Sequence, residues 1–196
     1  TFRIISVTGS LCFALPVAAI MSFARMVMLC FGASAFVTAF QDLGQEQTVS
    51  TRDFYDKRWG HWVEHLEIVY DGLKKAGCTN FVWLAGDSTV DNKPFREDWK
   101  EESWKTAVRG YEDVLSPPQM LPDVNYLLNE QFQESPFMAG ETFCAINTAR
   151  AGSTLGTRIE GGGGLYEQDE FLRDHVSEGD VVIVSVGGND MVVGGK

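Results

Sequence analysis

The sequence predicts an α/β domain organised around a parallel β-sheet. Three apolar runs, at residues 81–85, 142–147 and 180–186, each lead into glycine or small polar residues. Continuous apolar runs of this length are typical of strands that are buried on both faces, as in parallel sheets. Segments with helical spacing lie between the runs, and this alternation favours parallel strands joined by crossover helices.

The strand ends carry the residues on which the functional prediction depends. The first run enters Gly86-Asp87-Ser88, the second leads to Ala151-Gly152-Ser153, and the third ends in Gly188-Asn189-Asp190. The carboxyl edge of an open α/β sheet is where ligands bind, and parallel strands end there side by side. The three motifs therefore offer a hydroxyl nucleophile, a backbone N–H donor and a side-chain amide donor, which is the set that acyl transfer needs.

Three segments have the pattern of helices packed on this sheet. Residues 61–76 carry apolar side chains at helical spacing and are followed by Gly77, a common stop residue. Residues 122–131 are the first predicted crossover helix, and residues 165–175 are the second. The inner face of the first crossover helix is predicted to carry Val124, Leu127 and Leu128.

Residues 90–119 are too long for a tight strand-to-helix turn. Long insertions at this edge often form substrate walls. The alternative is a surface excursion with one amphipathic helix near residues 99–108, and the sequence does not favour either reading.

Composition limits the classes of protein. A chain of 196 residues has room for one domain with a substantial core. Its net charge of −11 repels phosphate backbones, so nucleic acid is not expected as a partner. Residues 1–40 contain two apolar runs, which predict a secretory signal peptide or, alternatively, a membrane anchor. Residues 41–52 are predicted to be a linker, and residues 53–196 the folded domain.

The spacing of cysteine and histidine residues bears on possible metal sites. The sequence has no C-x-x-C pair, so a structural zinc site of that type is not expected. Cys78 and Cys144 fit either one disulfide in a secreted protein or two buried thiols. His61-x-x-Glu64-His65 matches an inverted zinc-protease motif if both histidines share a helix face. No third ligand stands out, so no metal or cofactor is predicted, and a zinc peptidase remains an alternative.

Taken in order, the three strand-end motifs resemble the blocks of the SGNH hydrolases, also called GDSL-type esterases. The resemblance covers roughly residues 81–191, with residues 147–152 as the second block. It implies a three-layer α/β/α, flavodoxin-like fold. It also implies that Ser88 is the nucleophile and that Asp87 orients the serine loop without being the triad acid. The implied oxyanion hole consists of the backbone N–H groups of Ser88 and Gly152 and the side chain of Asn189.

One block of the family pattern has no counterpart here. SGNH hydrolases take their triad aspartate and general-base histidine from a D-x-x-H block near the end of the domain. In this sequence His61 and His65 precede Ser88, and His175 lies on a helix before the third strand. We therefore expect a domain truncated at its C-terminus, with the missing pair downstream of Lys196. We expect an esterase that is secreted or tethered to a membrane and that acts on a small-molecule or glycan ester. Residues 1–196 alone are expected to be inactive. The alternative is an inactive SGNH-like binding module.

Overall fold

The computed structural model describes residues 47–91, 93, 103–135, 140–159 and 164–193. The chain divides into two units, Thr1–Gln45 and Glu46–Lys196, and all described residues belong to the second. The predicted signal peptide or membrane anchor at residues 1–40 therefore falls outside the described residues. Within the described ranges, no helix is both long and apolar enough to cross a bilayer.

The described elements alternate between helices and strands. In chain order they are β1 (Val49–Ser50), α1 (Thr51–Asp56), α2 (Val63–Lys75), β2 (Asn80–Gly86), β3 (Lys105–Thr106), a 3-10 turn (Tyr111–Asp113), β4 (Leu115–Ser116), β5 (Gln119–Met120), α3 (Val124–Glu134), β6 (Phe143–Asn147), α4 (Leu155–Ile159), α5 (Glu167–His175), β7 (Val181–Ser185) and α6 (Gly188–Val193).

The three predicted strands form one parallel sheet, and this part of the prediction is confirmed. The strand order is β6-β2-β7, with β2 in the middle. Leu84 on β2 pairs with Asn147 on one side and with Ile183 on the other. All three strands therefore end at the same edge, with the segment after β2 flanked by the segments after β6 and β7.

Helices cover both faces of the central strand. Phe81 and Trp83 belong to a buried cluster that includes side chains of α2 and Phe171 of α5. Val82 and Leu84, which alternate with them along the strand, pack with side chains of α3 instead. This alternation follows from the period of two in a strand, and it accounts for the continuous apolar run in the sequence.

The first predicted helix is present as α2, but it begins at Val63, two residues later than predicted. Its buried residues Leu66, Val69 and Leu73 follow the helical spacing that the sequence shows. The helix ends at Lys75, shortly before Gly77, as predicted. His61 therefore lies outside the helix.

The inner face of the crossover helix α3 matches the predicted one only in part. Val124 and Leu128 are partly buried and pack on the cluster that contains Leu84, as predicted, whereas Leu127 is about half exposed. The fully covered positions include Asn125 and Asn129. A strand edge needs hydrogen-bonding partners as much as apolar cover, so polar residues take the inner positions here.

The two outer edges of the sheet differ. On the β6 side, the backbone of Ala145 donates to Asn129 Oδ1 (2.9 Å) and accepts from Asn129 Nδ2 (3.1 Å). Arg109 Nε donates to the carbonyl of Phe143 (2.8 Å) and Tyr111 Oη to that of Ala145 (2.9 Å). These side chains occupy the edge that another strand would otherwise use.

On the other side, β7 is an open edge. No described residue hydrogen-bonds to the outward-facing backbone of this strand. Its central side chains Val182, Ile183 and Val184 are exposed, the last by 63%. The apolar sequence of this strand is typical of burial on both faces, whereas within the described residues β7 is an edge strand with exposed side chains.

Smaller elements differ from the sequence predictions as well. Val49, inside the predicted linker, is buried and pairs through β1 with β4. The folded region therefore starts before residue 53. In the proposed helical stretch 99–108, residues 99–102 are outside the described ranges, and residues 105–106 form β3, which pairs with β5. Cys78 and Cys144 form a disulfide, with their Cα atoms 5.9 Å apart.

Candidate active site

The turn after β2 can form only because residue 86 is glycine. Gly86 has φ +142, and a Cβ atom there would overlap the carbonyl oxygen of Ser185 at the end of β7. The next amide, that of Asp87, donates to the same carbonyl (2.9 Å). The close approach brings the chain after β2 directly against the end of β7.

Asp87 holds the shape of the turn that carries Ser88. Its Oδ1 atom accepts hydrogen bonds from the backbone N–H (2.9 Å) and the hydroxyl (2.7 Å) of Thr89. The carboxylate is buried. Ser88 itself is partly buried, and neither its hydroxyl nor its backbone N–H makes a hydrogen bond with any described residue. The turn thus presents two unpaired donors at the sheet edge.

The loop after β6 is tied to the same place. Arg150 N–H donates to the carbonyl of Gly86 (3.0 Å), and Ser153 Oγ donates to that carbonyl as well (2.9 Å). Between them, Gly152 is exposed, has φ +77 and would accept a Cβ without contact. Its N–H has no acceptor in the part of the chain that the structure describes. The positive φ turns the backbone, and glycine adopts it without strain.

The third motif joins this loop from the β7 side. Asn189 Nδ2 donates to the carbonyl of Ser153 (3.0 Å), which uses one of its two amide hydrogens. Asp190 accepts from the backbone N–H groups of Leu155 (3.0 Å) and Gly156 (3.2 Å). These hydrogen bonds lower the pKa of Asp190. The predicted residues Ser88, Gly152 and Asn189 are thus carried by three adjoining segments.

Asn147, the first residue of the second block, links two of these segments. Its Nδ2 atom donates to the carbonyl of Val90 (2.9 Å), and its Oδ1 atom accepts from Ala149 N–H (3.0 Å). The side chain is buried. It therefore fixes the loop after β6 against the loop after Ser88.

A buried ion pair that the sequence analysis missed lies beneath these loops. Asp91 Oδ1 contacts Lys93 Nζ at 2.8 Å, and both side chains are 1% exposed. Asp91 Oδ2 accepts from the N–H groups of Gly60 and Ala151, each at 2.7 Å. Lys93 also donates to the carbonyl of Gly60. Burial lowers the pKa of Lys93, and the neighbouring Asp91 carboxylate opposes that shift. In the sequence, Asp91 and Lys93 look like ordinary charges of a polar insertion, so no pattern marks them.

The histidines of the zinc-protease motif do not share a helix face. His61 precedes α2, is buried, stacks on Phe54 (4.1 Å between ring centroids), and its Nδ1 atom is 2.7 Å from the Phe54 carbonyl oxygen. His65 lies on the helix. No group of three or more His, Cys, Asp or Glu side chains among the described residues is arranged to hold a metal ion. The motif requires both histidines on one continuous helix, and His61 lies before the first residue of α2.

The general base expected of an esterase is not supplied by these histidines. His61 contacts Phe54, and His175 contacts the Phe171 carbonyl (2.8 Å) and Glu67 (3.3 Å). No hydrogen bond joins Ser88 to any of the three histidines, all of which are described.

The fold and this edge define the class of protein: an α/β protein with a parallel sheet, whose central strand leads into a glycine-turned serine between two loops. Comparisons with protein-family models, with curated proteins and with solved structures found no match.

Proposed function

We propose that this protein is a serine ester hydrolase of the SGNH type. In this reaction Ser88 Oγ attacks the carbonyl carbon of an ester, the alcohol leaves, and water then hydrolyses the acyl-enzyme. The oxyanion of each tetrahedral intermediate would be held by the N–H groups of Ser88 and Gly152 and by the free amide hydrogen of Asn189. Asp87 would keep the serine turn in shape.

The observation that carries this proposal is the pair of unpaired backbone donors. The N–H groups of Ser88 and Gly152 have no acceptor among the described residues, although both lie where adjacent strands end. Ser88 is partly buried and Gly152 is exposed, so an incoming oxygen can reach both donors. Two such donors beside a serine hydroxyl fit a site that binds an oxygen anion.

The proposal requires a general base from outside the described site, since Ser88 has no histidine partner here. The open edge of β7 supports a sheet that continues with a further strand, because an uncovered parallel edge with exposed valines is unfavourable. We infer a three-layer, flavodoxin-like sheet whose continuation brings the triad aspartate and histidine. The disulfide between Cys78 and Cys144 supports an extracytoplasmic location, since disulfides persist in oxidising compartments.

Hydrolysis of p-nitrophenyl acetate by the full-length protein and by residues 1–196 alone tests the proposal. We expect the full-length protein to be active, its Ser88→Ala variant to lose activity by more than about a thousandfold, and the shorter chain to be inactive. Equal activity in the two chains would contradict the external base. Activity unaffected by Ser88→Ala would contradict the nucleophile.

A second candidate is an SGNH-like binding module without catalysis. The absence of a histidine contact to Ser88 among the described residues favours it. A full-length protein that hydrolyses nothing, yet binds ester ligands, would select this candidate.

A further inference from the structure

Arg150 differs from its neighbouring cation in having no carboxylate partner among the described residues. Its guanidinium lies over the ring of Tyr166, with Cζ 4.2 Å from the ring centroid. Arg158 also lies near this ring, at 5.2 Å, but it binds both carboxylate oxygens of Asp169 (2.8 and 3.1 Å). Arg150 makes no ion pair with any described residue. The two arginines therefore have different roles.

Stacking on Tyr166 holds the Arg150 guanidinium in a position where it can bind an anion. A guanidinium is charged at every pH of interest and presents its N–H donors in a planar fork that fits a carboxylate. Tyr166 is held in place because its hydroxyl donates to Thr157 Oγ1 (2.8 Å). The side chain of Arg150 is partly buried, so part of its solvation is already lost. In the part of the chain that the structure describes, this cation has no acidic partner and can therefore accept one from a ligand.

Arg150 also belongs to the site loop. It is two residues before Gly152, and its own N–H donates to the carbonyl of Gly86 (3.0 Å). Its backbone is thus fixed beside the proposed oxyanion donors, and its side chain starts from that point. An anionic group bound by the guanidinium would therefore be separated from the Gly86 carbonyl by no more than about the length of an extended arginine side chain, and Gly86 is two residues before Ser88.

We propose that Arg150 binds a carboxylate of the substrate, so that the site takes an ester carrying a second, ionised acid group. This inference rests on the proposed function, because the bound ester is a substrate only if the protein is an ester hydrolase. It specifies a class, the acidic esters, that the hydrolase chemistry alone does not.

Binding, measured without turnover, tests the inference. In the Ser88→Ala protein, isothermal titration or NMR titration would compare monomethyl succinate, which is anionic, with dimethyl succinate, which is neutral. We expect the anionic ester to bind about tenfold or more tightly, the preference to weaken with added salt, and Arg150→Gln to abolish it. Arg150→Lys should retain part of it, since the charge stays while the fork is lost.

Arg173→Gln is the matched control, because Arg173 is an exposed arginine that pairs with Asp174 at the far end of α5. It should leave the preference unchanged. Equal binding of the two esters, a preference that survives Arg150→Gln, or inorganic phosphate binding as tightly as the anionic ester would each overturn the inference. If the full-length protein hydrolyses p-nitrophenyl acetate but the Ser88→Ala protein binds the two succinate esters equally, this inference alone would be refuted. Arg150-dependent binding without hydrolysis by the full-length protein would refute the proposed function alone.

Discussion

Asp91 Oδ2 lies 2.7 Å from the backbone nitrogen of Ala151, 60 residues further along the chain. Because Ala151 precedes Gly152, this hydrogen bond ties the loop that follows Ser88 to the loop that carries a proposed oxyanion donor. The same oxygen accepts from Gly60 N–H, so one carboxylate joins three segments. The geometry of the candidate site therefore depends on a residue that does not belong to any of its three motifs.

Asp91→Asn should destabilise the protein more than Lys93→Met. Replacing the carboxylate leaves Lys93 buried without its counter-charge, which costs about 3–5 kcal/mol. Replacing Lys93 leaves Asp91 with two backbone donors, so the loss should be smaller, about 1–3 kcal/mol. Urea unfolding followed by tryptophan fluorescence measures both.

A double variant separates the pair from its surroundings. Asp91→Asn combined with Lys93→Met should be less destabilised than Asp91→Asn alone, because the unpaired ammonium is removed. If the free energy of unfolding of Asp91→Asn lies within about 0.5 kcal/mol of the wild-type value, which is the range of ordinary surface substitutions, Asp91 does not hold these loops together.

Gly86→Ala should cost more stability than Gly152→Ala, although both glycines have positive φ. At Gly86 a Cβ would overlap the Ser185 carbonyl, so backbone strain and a clash add to more than about 3 kcal/mol. At Gly152 nothing lies within 4 Å of the added atom, which leaves only the strain of the left-handed region, about 1–2 kcal/mol. Thermal or urea unfolding of the two variants gives the comparison. Equal losses would mean that β7 moves away from the turn at little cost.

The strands and their terminal motifs could be predicted from the sequence because period and composition act locally. Which side of a strand another strand covers is a long-range property, and for this reason the exposure of Val184 could not be predicted. The inner face of α3 could be predicted only in part, for a related reason: Asn129 faces inward to pair the backbone of Ala145, and hydropathy ranks asparagine as a surface residue. The three motifs marked Ser88, whereas the supporting contact from Asp91 has no motif.

Loss of the disulfide should destabilise the folded unit strongly. Cys78 and Cys144 close a loop with a sequence separation of 66 residues, for which the chain-entropy relation gives about 4 kcal/mol. The Cys78→Ala/Cys144→Ala variant should therefore unfold at a clearly lower urea concentration than the oxidised protein. Thiol titration of the unfolded, unreduced protein provides the control, since this pair should contribute no free thiols. Two additional reactive thiols from these positions would contradict the bond.

Acidification below about pH 6.5 should destabilise the protein through His61. Burial lowers the pKa of this imidazole in the folded state, and the positive charges of Lys93, His65 and Lys57 lower it further, while the Phe54 carbonyl opposes the shift. The unfolded chain takes up the proton near pH 6.5, and the folded chain does so only at lower pH. Stability is thus fully present above pH 6.5 and declines as pH falls towards the folded pKa, by at most about 1.4 kcal/mol per pH unit.

The variants His61→Gln and His175→Gln test this origin. His61→Gln should be less stable at pH 8, because the stacking on Phe54 is lost, but its stability should depend less on pH between 6.5 and 5. His175→Gln alters a partly exposed imidazole beside Glu67 and should keep the His61 contribution to the slope. Urea unfolding at half-unit pH steps gives these slopes. An undiminished slope in His61→Gln would assign the acid sensitivity to other groups.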